Sequence, residues 1–249
     1  MVVRDACPAC GSHRYKKNGH TRHGKQQQQC KACERQLSAT ADDCLMTDER
    51  RTRGEPLLRE RIALRGICRA VGVSLTWLLH FMVECFTACP EDLHVQLPAP
   101  PTAVLLSRLE AEADEMGSFV QKQANKPWIW MAMDATTRQI IALHVGDRRG
   151  ASGKELWAHL PTVYREQATF HTDQYDVYKG VIPAEQHRAM TKKARKTNHI
   201  ERFNNTLRQR VSRLVRETLS FSKTLANHIG AIKYFICHYN LEKAGALSV

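Results

Sequence analysis

The hydrophobic positions between residues 55 and 90 recur every three or four residues, which is the spacing of one face of a helix. They are Leu57, Leu58, Ile62, Leu64, Ile67 and Val71. We predict that this first helix begins at Pro56, because the first helical turn tolerates proline. Gly72 then interrupts the pattern, and Ser74 is a suitable N-cap for a second helix over residues 75–86. Two helices joined in this way indicate a helix-turn-helix, with an ordinary helical hairpin as the alternative.

The pattern changes after a proline-rich segment. Prolines at positions 98, 100 and 101 rule out a continuous helix and mark a linker. Two apolar runs follow at residues 127–133 and 139–145. We predict that they form a β-hairpin whose turn begins at Asp134, because aspartate side chains hydrogen-bond to the backbone of turns.

Further strands are expected before and after this hairpin in the sequence. Residues 113–120 form an extended segment, and residues 168–173 form a strand after a helix over residues 153–164 that Ser152 is placed to cap. A last helix is expected over residues 219–241. Three strands, a helix and another strand follow the order of an RNase H-like fold. The predicted fold class is therefore α/β, with a mixed five-stranded sheet and helices.

The composition indicates a basic globular protein that binds nucleic acid. The chain has 249 residues, 37 Lys and Arg against 25 Asp and Glu, and a formal net charge of +12. A hydrophobic share of 43% excludes disorder of the whole chain. No stretch approaches the roughly 20 apolar residues that span a bilayer, and the start lacks the apolar core of a signal peptide. We therefore expect an intracellular protein, whose basic excess points to nucleic acid.

Two cysteine pairs near the N-terminus have the spacing of a zinc site. Cys7 and Cys10 are followed after 19 residues by Cys30 and Cys33. Four thiolates in this arrangement are typical of tetrahedral Zn²⁺ sites, which fold segments too short to bury a core of their own. We predict phosphate contacts from the basic residues around the pairs, namely Arg14, Lys16, Lys17, Arg22 and Lys25. A ribbon that only folds the N-terminus or contacts protein is the alternative.

Carboxylates occur at the places where an RNase H-like fold binds magnesium. Asp114 lies in the first predicted strand, Asp173 ends the fourth, and Glu201 lies on a later helix. Carboxylates are the ligands that Mg²⁺ prefers, and two divalent ions about 4 Å apart promote in-line displacement at phosphorus. Glu115 is a rival of Asp114 for the first metal position, with solvated side chains at Glu112 and Glu115 as the alternative. Helical spacing places Asn204, Asn205 and Arg208 on the polar face that Glu201 shares.

The segment from residue 188 to residue 216 is strongly basic. It contains ten Lys and Arg residues and a single acidic residue, Glu201. A lone acid in a basic run beside a metal site favours phosphate binding, whereas a merely solvated basic helix is the alternative. The residues to which we assign DNA binding here are Lys192, Lys193, Arg195, Lys196, Asn204, Asn205 and Arg208.

Eight short motifs of the chain match those of a known family. They are CPACGS at 7–12, CKAC at 30–33, EADEMGSFV at 112–120, HVGDR at 144–148, HTDQY at 171–175, IPAEQH at 182–187, HIERFNNTLRQR at 199–210 and LSFSK at 219–223. In these motifs and their order the chain resembles the transposases of the insertion-sequence-one family. It departs from the family pattern at Gln174, where glycine is frequent, and at Gly117, where a bulkier aromatic residue is frequent.

Charge, the proline-rich linker and the change of pattern divide the chain into three expected domains: a zinc ribbon at residues 1–45, a helix-turn-helix at 46–97 and an RNase H-like catalytic domain at 98–249. The resemblance implies a DDE transposase that cleaves and joins double-stranded DNA, acting on terminal inverted repeats and target DNA. Asp114, Asp173 and Glu201 would be the triad that holds Mg²⁺ or Mn²⁺. Synapsis of two ends implies a homodimer or a higher homo-oligomer, and the expected location is the prokaryotic cytoplasm, with the nucleoid. A non-catalytic DNA-binding regulator and a nuclease on the same fold are the alternatives.

Overall fold

The computed structural model describes residues 2–3, 6–7, 9–21, 24–38, 40–41, 48–97, 109–120, 126–191, 196–214 and 222–247. At the N-terminus, strand β1 (Val2–Val3) pairs antiparallel with β5 (Thr40–Ala41). Between them lies an antiparallel sheet of β2 (Tyr15–His20), β3 (Gln26–Cys30) and β4 (Gln36–Ser38) in that order. The second cysteine pair of the sequence begins at the end of β3, where Cys30 is buried.

Three helices follow this small sheet: α1 (Asp48–Leu57), α2 (Leu64–Val71) and α3 (Leu75–Thr87). Gly72 ends α2 in the left-handed conformation, with a φ of 73° that glycine adopts at little cost. The Ser74 hydroxyl oxygen accepts the Trp77 amide proton, which confirms the predicted cap of α3. The axes of α2 and α3 differ by 103°, which lies within the range of about 90–120° seen in helix-turn-helix units.

The centre of the protein is a five-stranded mixed sheet. Its strands are β6 (Glu110–Gly117), β7 (Trp128–Asp134), β8 (Ile140–Gly146), β9 (Thr169–Thr172) and β10 (His187–Ala189). They lie in the order β10-β9-β6-β7-β8, with β6, β7 and β8 antiparallel and β6, β9 and β10 parallel. This arrangement fits an RNase H-like fold and confirms the predicted α/β class and hairpin.

Helices cover both faces of the central sheet. One face packs against α4 (Gly150–His159), α5 (Thr162–Gln167) and a 3₁₀ turn at Asp176–Gly180. The other packs against α6 (Asn198–Arg210), a 3₁₀ turn at Ser212–Leu214 and α7 (Leu225–Leu247). Successive residues of β7 alternate between the two cores: Trp130 and Ala132 face α4, whereas Met131 and Met133 face α6 and α7. β7 is therefore buried on both sides.

Three details of the predicted helices are wrong. Pro56 is the second-last residue of α1 rather than the start of a helix, and residues 58–63 separate α1 from α2. Proline has no amide proton to continue the helical hydrogen bonds, so α1 ends one residue later. Ser152 lies inside α4 rather than at its cap, and its hydroxyl donates to Asp147 Oδ1 at 2.8 Å. Pro161 then separates α4 from α5 where the sequence had indicated one helix.

Helices α1 to α3 pack directly on the RNase H-like unit. Phe86 of α3 lies so close to Gly230 of α7 that a Cβ at position 230 would come within 2.8 Å of the ring. Arg59 and Glu242 form an ion pair at 3.0 Å, and Tyr234 donates a hydrogen bond to the backbone oxygen of Glu55. The helical segment before the linker therefore has a defined position relative to the central sheet.

Among the described residues, no single helix combines the length and the apolar character needed to cross a bilayer. Only α2 and α3 taken together meet that test, and they are separated by the 103° bend at Gly72.

Asn240 joins the last helix to the sheet and to the segment after α3. Its Oδ1 accepts the Ile140 amide proton at 2.8 Å, and its Nδ2 donates to the backbone oxygens of Leu93 and Ile140. The side chain is fully buried. We expect Asn240→Leu to lower the free energy of unfolding by about 3 kcal/mol, because three buried backbone groups lose their partner. In urea unfolding, the exposed Asn205→Ala should change stability by less than about 0.5 kcal/mol; an equally small change for Asn240→Leu would contradict this role.

Candidate active site and metal centres

The four paired cysteines converge on one point of the N-terminal ribbon. The Sγ atoms of Cys7 and Cys33 are 3.6 Å apart, as are those of Cys10 and Cys30, and all four lie within 4.8 Å of one another. A tetrahedral Zn²⁺ with bonds of about 2.3 Å separates its sulfurs by about 3.8 Å. The backbone amides of Cys33 and Ala32 lower the pKa of the Cys30 thiol to about 6, which favours the thiolate that zinc requires. The neighbouring thiols of Cys33 and Cys30, by contrast, raise the pKa of Cys10 to about 12. The predicted tetrad thus fits a zinc ion in its spacing.

We expect the purified protein to carry one equivalent of zinc and Cys30→Ser to lose it, because three thiolates no longer close the tetrahedral site. Metal analysis of both proteins measures this. Cys237→Ser is the matched control, since Cys237 is also buried but lies on α7, away from the tetrad. A Cys30→Ser protein that retained a full equivalent would contradict the four-thiolate site.

A second cluster lies where β6 and β9 run side by side. Glu112 of β6 is in register with His171 of β9, so that two residues further along each parallel strand Asp114 and Asp173 reach the same level. Carboxylate oxygens of Asp114, Glu115 and Asp173 lie within 4.8 Å of one another. Parallel pairing therefore brings together two acids that are 59 positions apart in the sequence.

The electrostatics of Asp114 favour a cation at this place. Burial, helped by the neighbouring charges of Glu115 and Asp173, raises the pKa of Asp114 to about 7. Asn204 of α6 donates from Nδ2 to Asp114 Oδ2 at 2.7 Å, while its buried Oδ1 has no hydrogen-bond partner among the described residues. An excess of negative charge beside an unpartnered amide oxygen is a donor set that suits Mg²⁺ or Mn²⁺.

Glu115 differs from Asp114 because protein donors already occupy its carboxylate. Arg148 donates to Oε1 from both Nε and Nη2, at 3.3 and 2.9 Å, and the Tyr178 hydroxyl donates to Oε2 at 2.9 Å. The Glu115 side chain is only 2% exposed. Burial nevertheless raises its pKa, against the opposing effects of Arg148 and Tyr178. The sequence marks Glu115 as a rival metal ligand or a solvated neighbour and does not reveal its pairing with Arg148.

Glu201 lies on the same helix as Asn204, in its first turn, but its carboxylate does not join the group within 4.8 Å. Thr197 donates to Glu201 Oε1 at 3.0 Å, and the side chain is exposed. Its charge contributes to the raised pKa of Asp114. The residue that contacts Asp114 directly is Asn204, three residues further along the helix.

The buried carboxylate of Glu112 fixes the position of α6. Its Oε2 accepts the backbone amide protons of His199 at 3.0 Å and Ile200 at 2.9 Å, and its Oε1 contacts His199 Nδ1. Arg138 Nη1 lies 3.9 Å from Oε1. A carboxylate at a helix N-terminus satisfies amides that have no partner within the helix and interacts favourably with its dipole. Sequence reasoning treated Glu112 as a solvated neighbour, although its place two residues before Asp114 on one face of the strand was a signal.

We expect Glu112→Ala to destabilise the protein by about 3 kcal/mol, because two buried amide protons lose their acceptor, and to weaken Mn²⁺ binding as α6 shifts. Glu112→Gln should retain most of the stability, since its amide oxygen still accepts. Thermal unfolding and a Mn²⁺ titration measure the two effects. Glu110→Gln is the control, because Glu110 lies on the same strand but is half-exposed; equal losses in that variant would contradict the role of Glu112.

The predicted DNA-binding residues divide into three groups. Arg14, Lys16 and Lys17 are exposed on the ribbon, whereas Lys25 is half-buried. Lys196, Asn205 and Arg208 are exposed on or beside α6, and Lys196 pairs with Glu110 at 3.4 Å. Asn204 differs from these, because it is buried against Asp114. Arg22, Lys192, Lys193 and Arg195 lie outside the described residues.

Comparison with known proteins agrees with this geometry. A family model described as IS1 transposase matches residues 107–241, which include the sheet, the carboxylates and α6. The chain belongs to the IS1 transposase family. It is 35% identical over 128 residues to "Insertion element iso-IS1n protein InsB" of Shigella dysenteriae, covering 51% of this chain and 94% of that relative. It is 33% identical over 131 residues to "Insertion element IS1 protein InsB" of Shigella flexneri, covering 52% and 96%.

The structure gives a physical reason for one departure of this IS1 transposase family member from the family pattern. Gly117 pairs with Trp128 of the neighbouring strand, and a Cβ at position 117 would meet the indole ring at 3.6 to 3.7 Å. The ring of Trp128 therefore covers the space above Gly117 that a bulky side chain at that position would fill. Gln174, the other departure, is exposed directly after Asp173.

Proposed function

We propose that this member of the IS1 family is a DDE transposase that binds terminal inverted repeats and catalyses divalent-metal-dependent DNA cleavage and strand transfer. The observation that carries the proposal is the convergence of Asp114 and Asp173 at neighbouring strands, with α6 held beside them. The match of the family model to the region containing these residues supports it.

Asp114, Asp173 and Glu201 are the proposed catalytic triad and the proposed holders of Mg²⁺ or Mn²⁺. When bound, such ions activate water or a 3′-hydroxyl and stabilise the leaving oxygen. The chain itself supplies a fixed arrangement of donors: Asn204 orients the Asp114 carboxylate, and Thr197 holds that of Glu201. Preorganised groups of this kind lower the cost of rearrangement during reaction.

DNA contact is proposed for the ribbon and for the basic face near α6. Arg14, Lys16 and Lys17 of the ribbon are exposed and available to phosphates. In the proposed helix-turn-helix, α3 contains no Lys or Arg that could bind phosphate. Exposed cations lie instead on α2, at Arg65 and Arg69, and we propose that these two residues contact the DNA backbone.

The proposed partners and location follow from the reaction. Two ends of an element must be held together for transposition, so we propose a homodimer or a higher homo-oligomer acting on terminal repeats and target DNA. Location in the cytoplasm, with the nucleoid, is proposed with it. The three domains at residues 1–45, 46–97 and 98–249 remain part of the same proposal.

The test uses supercoiled plasmid that carries both ends of the element, incubated with the protein and Mg²⁺ or with EDTA. We expect nicks at the end boundaries and joined products with Mg²⁺, and a loss of at least about a thousandfold in both for Asp173→Asn and Glu201→Gln. Asp176→Asn is the matched control, because Asp176 is an exposed acid three residues from Asp173 that pairs only with Lys179 among described residues.

The products separate the proposal from its alternatives. End binding without any cleavage by the wild-type protein would favour a DNA-binding regulator, and cleavage without joined products would favour a nuclease. Unchanged cleavage by Asp173→Asn would remove the assignment of the triad.

A further inference from the structure

Arg148 is held in an aromatic slot beside the carboxylate cluster. Its guanidinium carbon lies 4.3 Å from the ring centroid of Trp128 and 4.6 Å from that of Tyr175. The Tyr175 hydroxyl donates to the backbone oxygen of Arg148 at 2.6 Å, which closes the slot. Stacking between two rings fixes the plane of a guanidinium and thereby the direction of its remaining donors.

The slot is joined to the active site through Asp173 and Glu115. The Tyr175 amide donates to Asp173 Oδ1 at 2.9 Å, so the ring that covers Arg148 is attached to a cluster carboxylate. Glu115 holds one edge of the guanidinium through Nε and Nη2. The hydrogen bond to Glu115, together with the charges of Glu115 and Asp173, raises the pKa of Arg148, which keeps the side chain cationic.

The opposite edge of the guanidinium is available. No acceptor for Arg148 Nη1 is found in the described part of the chain, and the side chain is 47% exposed. Neighbouring Arg149 differs, because its side chain is 86% exposed and no ring of the described residues is stacked on it. Arg148 is therefore a half-exposed cation with fixed geometry next to acids that a DNA strand would have to approach.

We propose that Arg148 binds a phosphodiester of the DNA strand that lies across the carboxylate cluster, and that Glu115 acts as the positioning residue that orients it. This inference rests on the proposed function for the identity of the strand. The planar guanidinium can offer paired donors to phosphate oxygens, and its charge offsets the repulsion between phosphate and the cluster acids. Both carboxylate oxygens of Glu115 accept hydrogen bonds, from Arg148 and from Tyr178, and we therefore assign to this acid the role of orienting the arginine.

The test is a double-mutant cycle on DNA binding without Mg²⁺, so that no cleavage occurs. The variants are Arg148→Gln, Glu115→Gln and the two combined, with Arg149→Gln as the matched control. Fluorescence anisotropy with a duplex that carries the element end, and with an unrelated duplex of equal length, gives affinity over a range of NaCl concentrations. Thermal unfolding of each variant reports folding.

We expect Arg148→Gln to bind both duplexes about tenfold more weakly and to reduce the salt slope by about 1, as loss of one phosphate contact does. Glu115→Gln should lose less affinity than Arg148→Gln, because its amide oxygen still accepts from Arg148 but no longer holds it as an ion pair. The combined variant should regain the thermal stability of the wild type, since no buried charge is left unpaired, yet remain about tenfold weaker in binding. Arg149→Gln should lose less than about twofold.

Recovery of DNA affinity in the combined variant would overturn the proposal, because Arg148 would then serve only to neutralise Glu115. An equal loss in Arg149→Gln would overturn it as well, since any nearby positive charge would suffice. The wild-type cleavage assay distinguishes the two proposals. If the wild type fails to cut DNA but Arg148→Gln loses affinity as expected, only the transposase proposal is contradicted. If the wild type cuts but Arg148→Gln keeps the wild-type affinity, only the role of Arg148 is contradicted.

Discussion

The buried carboxylate of Glu112 connects the central sheet to the helix that completes the site. It accepts two backbone amide protons from the start of α6, where a helix cannot satisfy them itself. A charged group buried this deeply is stable only when donors surround it, so the position of α6 is tightly specified. That position in turn places Asn204 against Asp114, on the helix that also carries Glu201. The arrangement of the site therefore depends on Glu112, which lies two residues before the candidate metal ligand Asp114 and accepts the amide protons at the start of α6.

The acids of the site have different environments along a single strand. Glu112 and Asp114 face α6, whereas Glu115, one residue later, faces Tyr178 and Arg148 on the opposite side. Alternation along the strand therefore gives adjacent acids different tasks. Glu112 holds a helix and Glu115 holds an arginine, whereas Asp114 has a raised pKa and accepts from the side-chain amide of Asn204. The contrast in hydrogen bonding favours Asp114 over Glu115 as the candidate ligand on this strand.

Helices α1, α2 and α3 are attached to the unit that carries the candidate site. Contact of Phe86 with Gly230, and ion pairs such as Arg59 with Glu242, hold these helices against α7. Because α7 also packs on the sheet that carries the acids, helices α1 to α3 have a defined position relative to the carboxylate cluster. The N-terminal ribbon is organised differently from the rest of the protein. Its buried apolar cluster is small, and its four paired cysteines converge on one point.

The sequence by itself determined the elements whose signals are local. Hydrophobic periodicity placed α3 and its Ser74 cap, the apolar runs around Asp134 placed the hairpin, and cysteine spacing indicated the tetrad. Its errors at Pro56 and Ser152 concern helix ends, where a few hydrogen bonds decide. Only the tertiary structure decided the register of β6 and β9, the short strand β10, and the partners of Glu112, Glu115 and Arg148. These contacts join residues 17 to 88 positions apart, and an acidic side chain in a strand carries no local mark of the donor that will surround it after folding.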